Sequence, residues 1–180
     1  YAALAAWKYK RNVKAEMSRS EVFTAARTKH PMRVRIKTGV KNDGSITALD
    51  MSDVMNTGAY GAHALTVLSN AGSKVLPMFN KIENMNFVGR AVYTNLPIGG
   101  AYRGYGATQG YFAFNQHMDG IARRLGVDFL DFVKKHHIRE GETSEVFKAI
   151  GEGTEGVSQI IRSCKLSECI DKGAEAIGWS

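Results

Sequence analysis

Alternating polar and apolar side chains predict a β-hairpin near the middle of the chain. Residues 33–37 alternate with period two, as in a strand that has one buried face. Residues 42–44, Asn-Asp-Gly, then supply a tight turn, and residues 45–55 return as the second strand. A further strand is predicted over residues 87–93. The fold class that follows is α+β, an antiparallel hairpin sheet packed against helices.

Helical periodicity is strongest after the glycine-rich stretch that ends at Gly110. Gly126 is expected to end this helix, and Asp128 is expected to cap the next one, with Asp131 three residues further on. Apolar side chains recur at spacings of three and four, which is one buried face of a helix: Tyr111, Phe114, Met118, Ile121 and Leu125.

The remaining elements are predicted from shorter patterns. Alanine-rich residues 2–7 favour a helix that ends near residues 10–12, and a short strand is predicted at residues 13–17. Residues 64–76 favour another helix. The tail after residue 142 is predicted as short helices broken at Gly151, Gly153 and Gly156.

Composition limits the class of protein. With 44% hydrophobic and 23% charged residues in 180, the chain is an ordinary globular domain and not a disordered one. No apolar run approaches the roughly 20 residues that a membrane-spanning helix needs. The net charge of +7 invites a nucleic-acid interpretation. We expect instead a solvated or interdomain face and no nucleic-acid partner, because the densest basic cluster alternates along a strand: Arg27, Lys29, His30, Arg33, Arg35 and Lys37.

Cysteines and the first residues suggest the cellular setting. Cys164 and Cys169 have a spacing that suits neither a zinc site nor a disulfide framework, so we expect free thiols in a reducing cytoplasm.

Tyr1 follows no initiator methionine and opens in the middle of a helical pattern. The chain is therefore expected to be a fragment of a longer protein.

Histidines and methionines are predicted to be structural. His136 and His137 sit where a helix ends, so they are expected to be surface residues that complement its dipole and not metal ligands. His30 precedes a proline and is expected to shape the entry to a strand. His63 and His117 are expected to be packed or partly exposed. Methionines are predicted to fill the core: Met51, Met55, Met78 and Met85.

The loop at residues 100–110 is the candidate ligand-binding segment of the sequence. Gly104 and Gly106 allow a sharp turn, and a helix that starts directly afterwards points unpaired N–H groups into it. Arg103 adds a planar set of donors suited to oxyanions, and Tyr105 adds an aromatic face. The pattern suggests a pocket for an anionic cofactor beside an aromatic substrate. The glycine spacing differs from the dinucleotide-binding motif, so by spacing alone a purely structural loop stays open.

The run TNLPIGGAYRGYGATQ resembles the molybdenum-binding large subunit of the xanthine dehydrogenase, aldehyde oxidase and carbon monoxide dehydrogenase family. Three other segments support the likeness in the same order. They are ARTKHPMRVRIKTGVKNDGSITALD, NTGAYG and GVDFLDFVKKH. The resemblance covers residues 1–142 of a single fragment of the molybdopterin-binding domain, and residues 143–180 form a helical tail. It implies that Arg103, Gly104, Gly106 and Gln109 contact the cofactor and that Tyr105 stacks on the substrate.

What the resemblance implies for function is oxidation of an N-heterocycle or aldehyde with water-derived oxygen at a molybdenum-pterin cofactor. In bacteria this cofactor is commonly molybdopterin cytosine dinucleotide, and electrons leave through iron-sulfur clusters and FAD on partner subunits or domains. The catalytic glutamate of the family would lie beyond Ser180. The chain therefore holds no catalytic residue of its own and is expected to be inactive alone. The alternative is a non-catalytic module that binds an anion or a protein partner.

Two positions limit the substrate. Gly104 stands where carbon monoxide dehydrogenases carry a cysteine, which disfavours their copper-bridged chemistry. An ungapped match places Ala71 where xanthine enzymes carry an arginine that orients the purine. The resemblance therefore does not extend to purine specificity.

Overall fold

The structure is a computed structural model that describes residues 1–152 and 154–179. Helices and a small sheet make up the fold, which confirms the α+β class. A short 3₁₀ turn, Leu76–Met78, precedes the third strand. In chain order the other elements are α1 Ala2–Tyr9, α2 Arg19–Ala25, β1 Met32–Val40, β2 Ile46–Gly58, α3 Ala64–Ser73, β3 Asn84–Tyr93, α4 Ala107–Leu125, α5 Phe129–His136, α6 Glu145–Ala149 and α7 Leu166–Ile177.

The predicted hairpin is present, and its turn has the expected chemistry. β1 and β2 pair antiparallel. The Asp43 side chain accepts a hydrogen bond from the Ser45 amide at 2.8 Å, and Gly44 has φ +80°. The Gly44 amide donates to the Lys41 carbonyl at 2.9 Å. A left-handed glycine is what such a turn requires.

The third strand makes the sheet mixed. β3 pairs with β2 in the parallel direction, with Met51 opposite Phe87, and the strand order is β1-β2-β3. Parallel neighbours need a crossover connection, and here α3 lies in the segment between them. The alternation of side chains predicts that a strand exists but not its direction.

One face of the sheet carries the core, and the other is open. Phe114 and Met118 of α4 are completely buried, as is Met51 of β2. They lie in one cluster, which confirms the predicted buried face of α4. On the opposite face Val54 and Val88 are exposed.

α3 and α4 approach each other closely at two glycines. A Cβ atom on Gly106 would overlap the carbonyl oxygen of Val67, and one on Gly110 would overlap the carbonyl oxygen of Ala71. Backbone therefore touches backbone where the two helices meet. This contact fixes the start of α4 relative to α3.

The strand predicted at residues 13–17 is wrong. Those residues have no regular structure, and α2 follows them. Ser18 begins α2 with a capping box, in which its hydroxyl accepts from the Glu21 amide and the Glu21 carboxylate accepts from the Ser18 amide. This pair favours a helix over an extended continuation.

The prediction that His136 and His137 lie on the surface is also wrong. They are 2% and 1% exposed, because the hairpin turn and α7 cover the end of α5. His136 Nε2 lies 2.9 Å from the Gly44 carbonyl oxygen, and His137 Nε2 lies 2.8 Å from Ser167 Oγ. Desolvation by burial lowers the pKa of both imidazoles. Both rings are part of the packing, although Nδ1 of His136 is buried with no hydrogen-bond partner among the described residues.

The tail returns to α5. Gly151 and Gly156 lie in the non-helical stretch between α6 and α7, as predicted, whereas Gly153 lies outside the described residues. Lys134 Nζ lies 2.6 Å from the Asp171 carboxylate, and the indole of Trp179 donates to Asp128 at 2.9 Å. These contacts place α7 beside α5.

None of the helices in the two described ranges combines the length and the apolar character that crossing a bilayer requires.

Candidate functional site

The predicted sharp turn directly before a helix is present. Gly104, Tyr105 and Gly106 have φ +88°, +48° and +98°, three successive left-handed residues. The Tyr105 amide donates to the Tyr102 carbonyl at 2.7 Å, and the Ala107 amide donates to the Gly104 carbonyl at 2.9 Å. α4 then begins without a side-chain cap. In this first turn the amides of Ala107 and Gln109 donate to the carbonyls of Gly104 and Gly106, so the positive end of the helix dipole faces the turn although few of its N–H groups are unbonded.

The two glycines of the turn have different surroundings. Gly104 is exposed, although a Cβ there would overlap the Thr108 methyl group. Gly106 is buried against α3, as described above. A side chain at Gly106 is therefore excluded by helix packing. Its contact with a cofactor stays a prediction.

Arg103 is exposed at the start of the turn. Among the residues that the structure describes, no side chain bonds to its guanidinium or forms an ion pair with it. Its carbonyl accepts a hydrogen bond from Lys29 Nζ. Five N–H donors are thus left available in a planar arrangement that matches phosphate or carboxylate oxygens.

Lys29 also contacts the turn and the start of α4, and no local pattern in the sequence indicates this. Its ammonium lies 3.0 Å from Thr108 Oγ1 and 5.0 Å from the centre of the Tyr102 ring, as well as bonding the Arg103 carbonyl. Lys29, Arg33 and Arg35 are all exposed, as expected of a solvated basic face, whereas His30 of the same predicted cluster is buried. A bridge between residues 28 and 99 brings this segment beside the loop. The separation of 74 residues from Arg103 left no local signal in the sequence.

Gln109 bonds to backbone. Its side-chain amide donates to the His30 carbonyl at 3.2 Å and accepts from Thr108 Oγ1 at 2.8 Å. His30, which precedes β1 as predicted, is buried, and its Nδ1 lies 2.9 Å from the Asn56 carbonyl oxygen. Gln109 therefore ties α4 to the entry of β1, and its predicted contact with the cofactor is not tested by this geometry.

Tyr105 leans against the start of α3. Its hydroxyl lies 2.9 Å from His63 Nδ1 and 2.7 Å from Thr66 Oγ1, and its ring meets the His63 imidazole edge-on with centres 6.0 Å apart. The ring also packs against the buried cluster of Met55, Ala64, Val67 and Leu68. His63, predicted to be packed or partly exposed, is exposed. No pattern in the sequence indicates a role for Thr66.

Two hollows flank the turn. One, of about 450 Å³, is lined by Lys29, Thr108, Gln109 and apolar residues of β1 and α4. The other, of about 530 Å³, is lined by His63 and Thr66 together with residues of β2 and β3. Arg103 and Tyr105 lie in the turn between these elements.

The donor set fits a polyanionic pterin cofactor. It comprises the unpaired Arg103 guanidinium, the Lys29 ammonium and the uncapped first turn of α4, all of positive character. Such a set binds phosphate oxygens through charge-assisted hydrogen bonds. The residues present are therefore compatible with the cofactor that the resemblance implies.

The position matched to the purine-orienting arginine is closed. Ala71 is completely buried where α3 meets α4, and its carbonyl lies against Gly110. No long side chain can be placed there without separating the two helices.

Curated relatives agree with the resemblance. The probable hypoxanthine oxidase XdhD of Escherichia coli is 37% identical over 164 residues, which are 91% of this chain and 17% of that protein. The putative xanthine dehydrogenase molybdenum-binding subunit XdhA of the same species is 33% identical over 93% of this chain and 21% of its own length. The nicotinate dehydrogenase large molybdopterin subunit of Eubacterium barkeri is 32% identical over 99% of this chain and 40% of its own length. The chain thus spans about a fifth of the first two relatives.

Solved structures share the fold. Aldehyde oxidoreductase from Desulfovibrio gigas matches with a TM-score of 0.66 and 28% identity, over 82% of this chain and 15% of that one. Carbon monoxide dehydrogenase from Oligotropha carboxidovorans matches with a TM-score of 0.71 over 99% of this chain and 22% of that one, at 19% identity, and this likeness concerns the fold alone. The family model described as molybdopterin cofactor-binding domain matches residues 1–137. The chain therefore belongs to the molybdopterin cofactor-binding domain family.

Proposed function

We propose that this chain is part of the large subunit of a molybdenum hydroxylase that oxidises an N-heterocycle or an aldehyde with water-derived oxygen. The observation that carries the proposal is the Arg103 guanidinium, which has no partner among the described residues and lies at a left-handed turn that leads directly into α4. The family and the names of the relatives support it, since these include xanthine and nicotinate dehydrogenases and an aldehyde oxidoreductase.

The chain contributes binding and orientation. Arg103 holds the anionic part of the cofactor beside the positive end of the α4 dipole, with Gly104, Gly106 and Gln109 in the same turn and helix start. Lys29 supports them by fixing the Arg103 carbonyl and by adding a positive charge. When bound, the molybdenum-pterin group supplies the two-electron redox chemistry of hydroxylation. We propose the cytosine dinucleotide form of the cofactor.

Tyr105 orients the substrate. Its ring is half-buried next to Arg103 and beside the hollow lined by His63 and Thr66. An aromatic ring held at a fixed angle favours a planar heterocycle by offset or edge contact. Gly104 and Ala71 offer neither a thiol nor an arginine, which supports a substrate other than carbon monoxide and disfavours a purine.

The partners follow from the same proposal. The rest of the parent subunit supplies the catalytic glutamate, and an iron-sulfur subunit or domain and an FAD subunit or domain carry the electrons away. We place the complex in the cytoplasm. Residues 1–180 act as one segment of the molybdopterin-binding domain and are inactive alone.

The molybdenum content of the parent complex tests the function. The complex is isolated from its native source, and molybdenum and pterin are measured per mole of the polypeptide. Near-stoichiometric values of both support a hydroxylase. If both are absent from a preparation that also lacks iron-sulfur and flavin partners, the loop serves a non-catalytic module that binds an anion or a protein.

Replacing Arg103 tests the site. Arg103→Ala in the parent is expected to lower turnover about 10- to 100-fold with the fold intact, since a charge-assisted hydrogen bond contributes roughly 1.5–3 kcal/mol. Arg124→Ala, at the other end of α4, is the matched control and should change turnover less than about 2-fold. Equal activity of both variants would contradict the assigned role of Arg103.

A further inference from the structure

Tyr105, His63 and Thr66 form a closed set of hydrogen bonds. The Tyr105 hydroxyl bonds His63 Nδ1 at 2.9 Å and Thr66 Oγ1 at 2.7 Å. Thr66 Oγ1 in turn lies 3.0 Å from the His63 carbonyl oxygen. We propose that His63 and Thr66 are positioning residues, which set the angle of the Tyr105 ring and so the shape of the substrate site. This inference rests on the proposed function, in which Tyr105 contacts the substrate.

Counting protons gives the direction of each bond. The Thr66 hydroxyl carries one hydrogen and donates it to the His63 carbonyl, which can only accept. Thr66 Oγ1 is then the acceptor for the single Tyr105 hydrogen. His63 must therefore donate from Nδ1 to the Tyr105 oxygen. All three contacts are satisfied only in this arrangement, which places a proton on His63 Nδ1.

The backbone conformation of Tyr105 also restricts the position of its ring. Tyr105 has φ +48° between two left-handed glycines, a conformation that costs a side-chain-bearing residue roughly 1–3 kcal/mol. Such a conformation persists where the surroundings determine it. Here the Tyr105 amide bonds the Tyr102 carbonyl on one side, and the hydroxyl bonds α3 on the other. The ring is held at both ends, and its angle follows from the position of α3.

The two positioning residues are themselves fixed by α3. His63 directly precedes the helix and Thr66 lies in its first turn. The contact of Val67 with Gly106 holds this turn against the residue after Tyr105. The His63 ring lies edge-on to the Tyr105 ring. His63 and Thr66 also line the neighbouring hollow, and Tyr105 does not. Tyr105→Phe alters no lining residue of that hollow, so it is the variant that isolates an effect transmitted through the ring.

Substitutions in the parent holoenzyme test the inference. KM and kcat are measured with hypoxanthine, nicotinate and benzaldehyde, and the compound that turns over fastest is used throughout. Tyr105→Phe, which loses the hydrogen bonds to His63 and Thr66, and His63→Leu, which loses one of them, are each expected to raise KM about 3- to 10-fold with kcat changed by less than about 2-fold. His63→Asn keeps a donor near the position of Nδ1 and should restore KM to within about 2-fold. The double variant Tyr105→Phe with His63→Leu should have a KM no higher than that of Tyr105→Phe alone.

A binding measurement separates the possible results. Isothermal titration of the same compound into the cofactor-free parent should show the same 3- to 10-fold rise in Kd for Tyr105→Phe and His63→Leu. Unchanged KM and Kd in these variants, with both raised by Tyr105→Ala, would overturn the positioning role while Tyr105 kept its contact with substrate. If Tyr105→Ala also changes neither value, the proposed place of Tyr105 in the substrate site fails instead. Should His63→Leu not fold, Tyr105→Phe and Thr66→Val give the same comparison.

Discussion

Asp53 is a buried carboxyl group in the middle of β2. It is 1% exposed, faces the core with Met51 and Met55, and neither of its oxygens has a hydrogen-bond partner among the described residues. Desolvation by burial raises its pKa to about 6. The protonated form is therefore the one that the fold favours.

The pKa of Asp53 makes stability depend on pH. Between about pH 4, near the pKa in the unfolded chain, and about pH 6, the folded state binds more protons than the unfolded state. Stability is fully present below this window and falls as pH rises through it. Asp53→Asn is expected to remove the slope and, because the amide cannot ionise, to raise the free energy of unfolding by about 2 kcal/mol at pH 8. Urea denaturation of the parent from pH 4 to pH 8 measures both effects.

Asp50→Asn is the control on the same strand. Asp50 is exposed and accepts a hydrogen bond from the Asn86 side chain, which an amide can also accept. Its replacement should change stability by less than about 0.5 kcal/mol at any of these pH values. If the free energy of unfolding of Asp53→Asn still falls between pH 4 and pH 6, the pH dependence belongs to another group.

Single residues show how far sequence reasoning reaches into the site. Gly104 and Gly106 were predicted to form a sharp turn because a short sequence pattern suffices for local backbone geometry. Lys29, His63 and Thr66 were not recognised. Each of them contacts the turn or the start of α4 from 39 to 79 positions away in the sequence, and no local sequence pattern indicates contacts over such a separation.

At the scale of elements, the contact between α3 and α4 decides the geometry of the loop. Gly106→Ala is expected to destabilise the domain by roughly 2–4 kcal/mol, since a methyl group would meet the Val67 carbonyl and φ is +98°. The urea midpoint of the parent measures the loss. Gly120→Ala is the matched control on α4. Its Cβ would enter open space, and alanine should stabilise the helix by up to about 1 kcal/mol. A neutral Gly106→Ala would show that the two helices can move apart.

Periodicity predicted elements better than their arrangement. The face of α4 that includes Phe114 and Met118 was predicted because burial at spacings of three and four is a strong signal. The direction of β3 was not, since parallel and antiparallel strands share one alternation. The strand at residues 13–17 failed because the capping pair of Ser18 and Glu21 favours a helix just beyond it.

At the scale of the whole molecule, Arg139 connects α7 in the C-terminal tail to the end of α5. Its guanidinium lies 2.7 Å from Ser167 Oγ of α7 and 2.6 Å from His137 Nε2, and it also bonds the Lys134 carbonyl. His137 and Ser167 bond each other. The sequence placed His137 on the surface because nothing local indicates that a helix 30 residues later returns to cover it.

Arg139→Met is therefore expected to loosen α7. The parent variant should be cut by a protease within residues 154–165 at least about 10-fold faster than the unchanged protein. The reason is that the free energy of detaching α7 falls by about 1 kcal/mol or more. Arg123→Met loses an exposed pair with Asp119 within α4 and serves as the control. Equal cleavage of the two variants would mean that other contacts hold the tail.

The site is assembled from segments that the ribosome makes far apart in time. The hairpin can close as soon as β2 has emerged, because Val40 pairs with Ile46. Lys29 meets Thr108 only after 79 further residues have been added. Local contacts form early and distant ones late. A chain whose synthesis stops before Thr108 holds the strand pair but lacks the contact between Lys29 and α4, so this contact forms only after the start of α4 has been made.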